Sequence, residues 1–587
     1  MLKKTKIVAT LGPASNDPET IKRMIQNGMD AARINFSHET YETHAVLIKA
    51  LKKAREDLRK PIPLILDTKG PEIRIGNFSE NRIYIDQGQD FTLTTREVIG
   101  DKSVVSVTYG NLPKDVSVGG RILIDDGLIE LKIRGVTETD IMCVAVNSGF
   151  LSSRKGVNVP DVHINLPSIT ENDIKDIEFG VKMGFDYISA SFVRSAEDVM
   201  KIRQVLEANR AEHIHIIAKI ESRAGVDNLD AILGIADGIM VARGDLGVEI
   251  PPEEVPLAQK LLIRRSNLAG KPVITATHML ESMVKNPRPT RAEANDVANA
   301  IFDGTDAVML SAETAVGAYP VESVGMMARI SAKAEETIDY YTNLSDHYMA
   351  KKTNTTNAIC FATCNTAADL KAACIVSITD SGFSARMVSR NRPACPIIAV
   401  TADESVCRQL NLIWGCEPAF AEKISGNDEV FDIAEEKAVE SGLVKNGDII
   451  VAVAGVPVGV AGTTNTLKVR IAGDVLAKGK GMGDRTVRGI AKVVRDAETE
   501  EHYFQRGDIL VATSTSDGMM DFIRKAGAIV VGTWEEVDNS HAETVAKALN
   551  IPLIISNQRV VDQIRDGIAV TVDSKNGFVY NGYRKDI

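Results

Sequence analysis

The sequence has few cysteines, no excess of basic residues and no uninterrupted apolar run long enough to cross a membrane. Seven cysteines are few for 587 residues. Six fall in one stretch without a Cys-x-x-Cys pair: Cys360, Cys364, Cys374, Cys395, Cys407 and Cys416. Neither a disulfide framework nor a zinc site is indicated, which favours buried thiols in a reducing cytoplasm.

The charge balance argues against a polyanionic partner. The chain has 68 Lys and Arg against 79 Asp and Glu, a formal net charge of −11. Proteins that bind nucleic acid mainly through its phosphate backbone carry the opposite excess, so nucleic acid is disfavoured as a partner.

Targeting and membrane segments are not predicted. Lys3, Lys4 and Lys6 precede only the short apolar run Ile7–Leu11, too short for a signal peptide. The longest uncharged stretch, from Ile449, is interrupted by Gly and Pro and predicts a hairpin rather than a membrane span. We therefore expect a cytoplasmic protein without membrane association.

The length predicts about four domains, since one domain accounts for roughly 150 residues. Hydrophobic residues make up 44% and charged residues 25% of the chain. This composition is that of an ordinary folded protein, so disorder does not explain the length.

Eight short β-branched runs alternate with helical segments along the first 315 residues or so. The predicted strands are Lys6–Leu11, Ala31–Phe36, Ile62–Asp67, Asp186–Ser191, His213–Lys219, Gly238–Ala242, Pro272–Thr277 and Ala307–Ser311. Eight strand–helix repeats predict an α/β fold built on a closed parallel (β/α)8 TIM barrel, with its chemistry in the loops after the strands.

The spacing between strands breaks once, between Asp67 and Asp186. The intervening residues alternate polar and apolar side chains around a turn at Asp125-Asp126-Gly127, which predicts an inserted all-β domain. Such a domain would lie over the mouth of the barrel as a lid.

Five segments follow from these patterns. We predict a barrel domain in two parts (1–69 and 167–345), an inserted β-barrel lid (70–166), an α/β regulatory domain (346–472) and an extra C-terminal domain (473–587). In the α/β domain, strands are predicted at Ala373–Ile378, Pro396–Thr401 and Asp448–Ala454. Residues Gly473–Asp484, rich in glycine and mixed charge, predict a linker.

Polar residues gather at the carboxyl ends of the predicted barrel strands. They are Arg33, Asn35, Ser37, Asp67, Thr68, Lys69, Lys219, Glu221, Arg243, Gly244, Asp245, Thr277, Ser311 and Glu313. A capping or salt-bridge role would explain a polar residue at one strand end. It explains less well why six strand ends all carry such residues.

Two carboxylates on successive strands, Glu221 and Asp245, could hold one Mg²⁺ and leave positions for water and substrate oxygens. Lys219 lies on the same side of its strand as Glu221, where its charge could neutralise a phosphoryl group in transfer. Arg33 and Arg74 near the same mouth also favour an anionic substrate. A plain ion pair between Lys219 and a carboxylate remains the alternative.

Seven segments in order resemble pyruvate kinases, and several are specific to that family. They are Lys6–Ser15, Arg33–His38, Asp67–Arg74 (DTKGPEIR), Lys155–Asn158, Ala218–Glu221 (AKIE), Ala242–Glu249 (ARGDLGVE) and Pro287–Glu293. The resemblance spans residues 1 to about 470. It implies transfer of a phosphoryl group from phosphoenolpyruvate to ADP, giving pyruvate and ATP.

The resemblance also assigns roles to the strand-end residues. It implies catalytic roles for Lys219, Thr277 and Ser311, with the last two in a proton relay to the enolate. Substrate contacts are implied for Arg33, Lys219, Arg243, Gly244, Asp245 and Thr277, and nucleotide contacts for Asn35, His38, Arg74 and Lys155. A closing lid would keep water from the phosphoryl group.

The implied cofactors are Mg²⁺ (or Mn²⁺) and K⁺. Glu221 and Asp245 would hold the divalent ion, and the potassium ligands would be Asn35, Ser37, Asp67 and Thr68. Members of the family differ in potassium use according to whether Glu or Lys follows Lys-Gly-Pro. Glu72 here implies potassium dependence.

Three departures from the family pattern stand near the implied site. Glu39 follows Phe-Ser-His where Gly is usual, His278 stands in place of Gln, and Ala312 replaces the Gly before Glu313-Thr314. None removes a metal ligand or Lys219, so the reaction class should be unaffected.

The α/β domain holds a loop at a predicted helix start that could bind phosphate. Its residues are Thr379, Asp380, Ser381, Gly382, Phe383 and Ser384. An N-capping turn is the alternative, but the loop also resembles the effector-phosphate loop of pyruvate kinases. The segment Gly455–Gly462 lacks the Arg expected for a bisphosphate, so we expect activation by a sugar monophosphate or AMP, within a homotetramer.

Residues from about 474 onward resemble the mobile phosphohistidine domain of enzymes that use phosphoenolpyruvate. His541 lacks that family's Gly- and Thr-bearing approach, since Val537-Asp538-Asn539 precedes Ser540. We expect a docking or stabilising role for it. The alternative functions are a phosphotransferase that works through His541, as in the dikinases, and a non-catalytic metabolite sensor.

Overall fold

The structure, a computed structural model, describes most of the chain. The described residues are 3–160, 162, 164, 166–341, 344, 354–422, 429–445, 448–457, 464–473, 475–495, 504–532 and 540–584. The chain divides into two compact units. The first comprises Met1–Asn365, Ser377–Ile424 and Ala454–Thr466, and the second Thr366–Val376, Ser425–Val453 and Leu467–Ile587.

Eight parallel strands close into a barrel in the first unit. They are β1 (Lys6–Leu11), β2 (Ala31–Asn35), β3 (Leu64–Asp67), β4 (Tyr187–Ala190), β5 (His215–Ile220), β6 (Gly238–Ala242), β7 (Val273–Ala276) and β8 (Ala307–Leu310). Each strand pairs with its neighbour along the chain, and β8 pairs with β1. The predicted TIM barrel is confirmed.

Helices cover the outside of this barrel. They are Pro18–Gln26, Tyr41–Leu58, Glu171–Met183, Ala196–Ala208, Arg223–Asp227, Leu229–Ile235, Arg243–Glu249, Val255–Ala269, Arg291–Phe302, Ala312–Ala315 and Pro320–Glu335, with 3-10 turns at Pro13–Ser15, Pro252–Glu254 and Glu281–Val284. Side chains of Asp17, Thr170 and Thr290 accept backbone N–H groups at helix starts, and Gly184 ends a helix in the left-handed conformation.

A residue from the α/β segment seals the amino-terminal end of the barrel. Leu412 is fully buried among inward-facing residues of all eight strands, including Ile65, Ile217 and Met309. Close by, the side-chain amide of Asn411 donates to the carbonyl oxygen of Asp30, just before β2. The opposite, carboxyl-terminal rim is therefore the open one.

The segment between β3 and β4 forms the inserted β domain. Its strands are Arg82–Ile85, Asp90–Thr94, Val104–Ser106, Arg121–Ile124, Ile129–Val136, Asp140–Ala145, Gly149–Ser152 and Val157–Asn158, with one short helix, Leu112–Asp115. They form a six-stranded and a two-stranded sheet. Residues 73–76 pair with both edges of the six-stranded sheet, next to Gly156 and next to Val107, which is consistent with the predicted β-barrel. The two-stranded sheet consists of Arg82–Ile85 and Gly149–Ser152, which pair in antiparallel fashion.

The predicted turn in this domain is present. Asp125, Asp126 and Gly127 all have positive φ, at 56°, 53° and 84°. The turn connects Arg121–Ile124 to its antiparallel partner Ile129–Val136. Asp tolerates this backbone conformation better than most residues, which explains the sequence of the turn.

Strands and helices alternate again after residue 354. The helices are Thr355–Asp369, Phe383–Ser389, Glu404–Leu410 and Glu429–Glu440, and the strands are Cys374–Ile378, Ile397–Thr401, Cys416–Phe420, Ile449–Gly455 and Thr464–Ile471. The three strands predicted here are present. The tip of the predicted hairpin, 458–463, and the predicted boundary at 345–346 lie outside the described residues.

The C-terminal domain, in the second unit, contains a closed seven-stranded barrel of mixed direction. Its strands are Val475–Met482, Thr486–Val494, Ile509–Ala512, Ala528–Gly532, Leu553–Ser556, Ala569–Asp573 and Phe578–Asn581. Its helices are Met520–Ile523, Ser540–Leu549 and Val560–Gln563, with a 3-10 turn at Asp517–Met519.

The linker predicted at Gly473–Asp484 is wrong, because most of it is the strand Val475–Met482. Its glycines permit close packing rather than flexibility. A Cβ atom at Gly479 would lie 2.2 Å from the carbonyl oxygen of Ile555, and one at Gly481 would lie 1.9 Å from that of Ser574. Neighbouring backbone therefore excludes any side chain at both positions.

All seven cysteines lie among the described residues and are free thiols. In the part of the chain that the structure describes, no helix combines the length and apolar character needed to cross a bilayer.

Gly481→Ala should destabilise the C-terminal domain by about 1–3 kcal/mol or more, because the added methyl group overlaps the carbonyl group of Ser574. Urea-dependent proteolysis, with cleavage sites mapped by mass spectrometry, measures the loss of stability of the C-terminal domain, residues 475–584. Gly234→Ala is the control, since Gly234 lies in a helix with open space at its Cβ position. Equal protection of the Gly481→Ala variant and the parent would contradict the packing role.

Candidate active site

Two cavities lie at the carboxyl-terminal rim of the barrel. The larger, of about 870 Å³, is lined by Arg33, Asn35, His38 and Ser311 among others. The smaller, of about 390 Å³, lies between the inserted domain and the rim, and its lining includes Asp126, Glu221 and Asp245. The rim thus offers space for more than one substrate.

Lys219 stands at the centre of a buried network of charges. Its Nζ lies 2.9 Å from Glu221 Oε1 and 3.6 Å from Asp67 Oδ1. It also donates a hydrogen bond of 2.8 Å to Ser191 Oγ. Burial alone would lower the pKa of Lys219, but the charges of Asp67 and Glu221 outweigh it and raise that pKa. The lysine is therefore charged at any physiological pH.

Arg33 completes this network on the side of β2. Its Nη2 donates to Asp67 Oδ2 at 2.6 Å and its Nη1 to Thr10 Oγ1 at 2.9 Å. Burial would raise the pKa of Asp67, but Arg33 and Lys219 more than offset it and lower that pKa. Asp67 Oδ1 is buried without a hydrogen-bond partner. Its nearest cation is the ammonium group of Lys219, 3.6 Å away.

Glu221 and Asp245 are close enough to repel one another. Burial, reinforced by the charge of Asp245, raises the pKa of Glu221 to about 7 despite the opposing charge of Lys219. The pKa of Asp245 is also raised, first by burial and then by the charges of Asp126 and Asp67. Two buried carboxylates with too little positive charge fit the donor set that a divalent cation requires.

The loop after β7 is strained. Thr277 and His278 have positive φ, at 66° and 57°, a region that β-branched residues rarely adopt. The backbone N–H of Gly244 donates to Thr277 Oγ1 at 2.8 Å, and this hydroxyl donates to the carbonyl oxygen of Ala276 at 2.7 Å. The structure thus brings the Thr277 hydroxyl and the Gly244 amide together.

The guanidinium group of Arg243 is engaged by other groups of the protein. It donates to Asp296 Oδ1 at 2.7 Å and to the carbonyl oxygen of Thr277 at 2.7 Å. Its side chain thus supports the strained loop, and only its backbone remains in position for the substrate role predicted for this residue.

Ser311 lies beside a buried carboxylate. Glu313 Oε2 accepts the backbone N–H of Ser311 at 2.7 Å, and Oε1 accepts that of Leu280 at 3.1 Å. Glu313 therefore joins the loops after β7 and β8, which carry Thr277 and Ser311. In the sequence, Glu313 stands out only as a carboxylate at a strand end, with no predicted role.

The predicted potassium ligands lie at or just after the ends of the adjacent strands β2 and β3. Asn35 and Asp67 are direct partners in the register of β2 and β3. Asn35 Oδ1 accepts the backbone N–H of Ser37 at 3.0 Å, and Thr68 Oγ1 accepts that of Ser191 at 3.1 Å. Ser191, which contacts both Thr68 and Lys219, was missed, although it ended a predicted strand.

The predicted nucleotide contacts divide into two groups. Asn35 and His38 line the larger cavity. Arg74 is held by Glu72 Oε2 at 2.6 Å, and Lys155 by Asp125 Oδ1 at 2.9 Å. These two cations of the inserted domain are engaged by carboxylates and do not line the larger cavity.

The predicted effector loop precedes a helix of only seven residues, Phe383–Ser389. Gly382 adopts a φ of 74°, and Asp380 and Ser381 are exposed. The Thr379 N–H donates to the carbonyl oxygen of Val400 at 2.9 Å, and Ser384 Oγ lies 2.5 Å from Thr464 Oγ1. The hydroxyl of Ser381 is thus more accessible than that of Ser384.

Both ring nitrogens of His541 have partners. Nδ1 lies 2.9 Å from Thr515 Oγ1, and Nε2 lies 3.2 Å from Asp517 Oδ1. This arrangement favours a structural role. The residues that precede it, Val537-Asp538-Asn539, lie outside the described residues.

A (β/α)8 barrel whose open rim combines two buried carboxylates, a charged lysine and an arginine is typical of an enzyme class that acts on anionic substrates. Three family models match the chain: "Pyruvate kinase, barrel domain" over residues 2–324, "Pyruvate kinase, alpha/beta domain" over 357–470, and "PEP-utilising enzyme, mobile domain" over 504–577. The chain belongs to the pyruvate kinase family.

Individual relatives agree with the family models. The chain is 49% identical over 585 residues to a pyruvate kinase of Geobacillus stearothermophilus and 47% identical over 584 residues to one of Sporosarcina psychrophila. Each match covers 99% of both chains. A crystal structure of a pyruvate kinase from Cryptosporidium parvum aligns with a TM-score of 0.76 and 39% identity, covering 80% of this chain and 96% of that one.

Proposed function

We propose that this enzyme transfers the phosphoryl group of phosphoenolpyruvate to ADP, giving pyruvate and ATP, as the last step of glycolysis in the cytoplasm. The observation that carries the proposal is the position of Lys219, buried and charged between Glu221 and Asp67 at the open rim. A fixed positive charge there can neutralise a phosphoryl group as it moves between two oxygens.

The neighbouring residues have complementary roles. Arg33 and Lys219 bind the phosphoryl group, and the backbone amides around Gly244 bind the substrate carboxylate together with Thr277. Asn35, His38, Arg74 and Lys155 contact the nucleotide, for which Arg74 and Lys155 must exchange their present carboxylate partners. Thr277 and Ser311 relay a proton to the enolate, and Glu313 fixes the spacing of their loops.

Glu221 and Asp245 would hold Mg²⁺ or Mn²⁺, and Asn35, Ser37, Asp67 and Thr68 would hold K⁺. Bound cations supply electrostatic stabilisation of the substrate oxygens. The raised pKa values of both Mg²⁺ ligands support the first assignment, and Asp67 Oδ1, which accepts no hydrogen bond, supports the second.

We also propose regulation by a phosphorylated effector in a homotetramer. The loop from Thr379 to Ser384 would bind the effector phosphate. Exposed apolar side chains on two adjacent barrel helices support association: Leu257 is 67%, Leu261 46% and Phe302 54% exposed. The Gln259–Asp303 hydrogen bond joins these helices, so the three side chains share one side of the barrel.

Lys219→Met should lower pyruvate formation from phosphoenolpyruvate and ADP, with Mg²⁺ and K⁺ present, by about a thousandfold, because a preorganised charge is lost from the transition state. A lactate dehydrogenase-coupled assay measures it. Lys175→Met, at an exposed position of an outer helix, is the control and should retain full activity. No pyruvate from the parent enzyme, or an unimpaired Lys219→Met variant, would refute the proposed reaction.

Activity should depend on potassium, since Glu72 occupies the position that distinguishes potassium-dependent members. Glu72→Lys should weaken that dependence, because an ammonium group can supply positive charge in place of K⁺. Rates are compared in KCl and in a tetramethylammonium salt of equal ionic strength. Glu80→Lys, exposed on the same domain, controls for charge reversal alone. Equal parent rates in both salts would disprove potassium dependence.

A sugar monophosphate or AMP should lower the phosphoenolpyruvate concentration that gives half-maximal activity, and fructose 1,6-bisphosphate should do so less well. Ser381→Ala should reduce the activation, because it removes an exposed hydroxyl from the effector loop. Ser405→Ala, at the start of another helix of this segment, should not. Equal or stronger activation by the bisphosphate would contradict a monophosphate site.

A further inference from the structure

Another cavity, separate from the two at the catalytic rim, lies at the amino-terminal end of the barrel. It has a volume of about 100 Å³, and Lys271, Arg386, His215 and Asp237 are in its wall. A smaller recess shares Lys271 and Arg386 with it and adds Arg390 and Asp306. The wall combines the starts of barrel strands with the helix Phe383–Ser389, all within the first unit.

The three cations of the cavity and its recess, Lys271, Arg386 and Arg390, donate only to backbone oxygens or sulfur. Lys271 Nζ donates to the carbonyl oxygens of Leu233 and Ala236. Arg386 Nη1 donates to the carbonyl oxygen of Ser381 at 3.2 Å, and Arg390 Nη1 to that of Leu268 at 3.4 Å. None of these three side chains forms an ion pair with a described carboxylate.

The two carboxylates of the wall are already neutralised by other arginines. Asp237 Oδ2 lies 2.6 Å from Arg203 Nη2 and also accepts the backbone N–H of Ile216 at 2.8 Å. Asp306 Oδ1 lies 2.9 Å from Arg392 Nη1. The charges of Lys271, Arg386 and Arg390 are therefore in excess.

Burial makes this excess unfavourable. Burial lowers the pKa of Lys271, Arg386 and Arg390. The charge of Asp237 opposes this effect only partly at Lys271 and Arg386. Burial also lowers the pKa of His215, to about 4, so this imidazole is neutral near pH 7. An enclosed cluster of cations without counter-charge is destabilising unless an anion joins it.

We propose that this cavity binds a small oxyanion of two negative charges, namely a phosphate group. The cavity is large enough for a phosphate but too small for a nucleotide. The Arg386 guanidinium and the Lys271 ammonium line the cavity, and the Arg390 guanidinium lines the adjoining recess. Their N–H groups match tetrahedral oxygens, and the excess of cations favours a dianion over a single carboxylate.

This site is separate from the catalytic rim and does not depend on the proposed reaction. It adjoins the proposed effector loop, because Arg386 donates to the carbonyl oxygen of Ser381. Lys271 belongs to the barrel side of the wall, just before β7, so its substitution tests the cavity without removing a contact to that loop.

The test is isothermal titration calorimetry of the full chain with inorganic phosphate at pH 7.5 and fixed ionic strength. Lys271→Gln should weaken one phosphate-binding event by about tenfold or more, since a buried charge-assisted hydrogen bond is lost. Lys52→Gln is the matched control: Lys52 Nζ also donates to a backbone carbonyl oxygen, that of Met183, and burial lowers its pKa, but it is outside the cavity. It should leave the isotherm unchanged.

Arg386→Gln, at the other cation that lines the cavity, gives a second, independent variant if Lys271→Gln fails to fold, as judged by circular dichroism. Glycerol 2-phosphate in place of inorganic phosphate distinguishes the source of the phosphate group: weaker binding indicates free phosphate, and equal binding indicates a phosphate ester. Both of these outcomes support the site. Isotherms of the folded cavity variants that match those of the parent and of Lys52→Gln would overturn it.

Discussion

The structure depends most on the balance of buried charge around Lys219. Two cations, Arg33 and Lys219, face three carboxylates, Asp67, Glu221 and Asp245, at one end of the barrel. Isolated buried charges destabilise a fold, so each must have a partner. One of the three carboxylates is left without a cation, and the raised pKa values of Glu221 and Asp245 reflect this excess of negative charge. The rim is therefore preorganised to accept a divalent cation.

The rest of the barrel keeps these charges in place. Leu412 fills the amino-terminal end, so the inward-facing side chains form a solid core beneath the charged layer. At the rim, Arg243 donates to the carbonyl oxygen of Thr277 in the loop after β7, and Glu313 accepts backbone N–H groups from the loops after β7 and β8. These contacts maintain the strained φ of Thr277, which places its hydroxyl beside the amide of Gly244.

The sequence was informative where a pattern repeats locally. The eight barrel strands follow from β-branched runs at regular spacing, and the strand-end residues follow from those strands. The direction of the Arg243 side chain could not be predicted, because Asp296 comes from a distant helix. The linker prediction failed for a similar reason. Glycine indicates either flexibility or close approach of another strand, and only the positions of Ile555 and Ser574 distinguish the two.

The two ends of the barrel carry charge imbalances of opposite sign. The carboxyl-terminal rim has an excess of carboxylate, whereas the amino-terminal end has three cations beyond its paired carboxylates. Neither end can relieve its imbalance by pairing with the other, because the apolar interior, including Ile65, Ile217 and Met309, separates them. An ion that binds either end also stabilises the folded chain, since it binds the native state and not the unfolded one. Ligand binding and fold stability are thus linked at both ends of the same barrel.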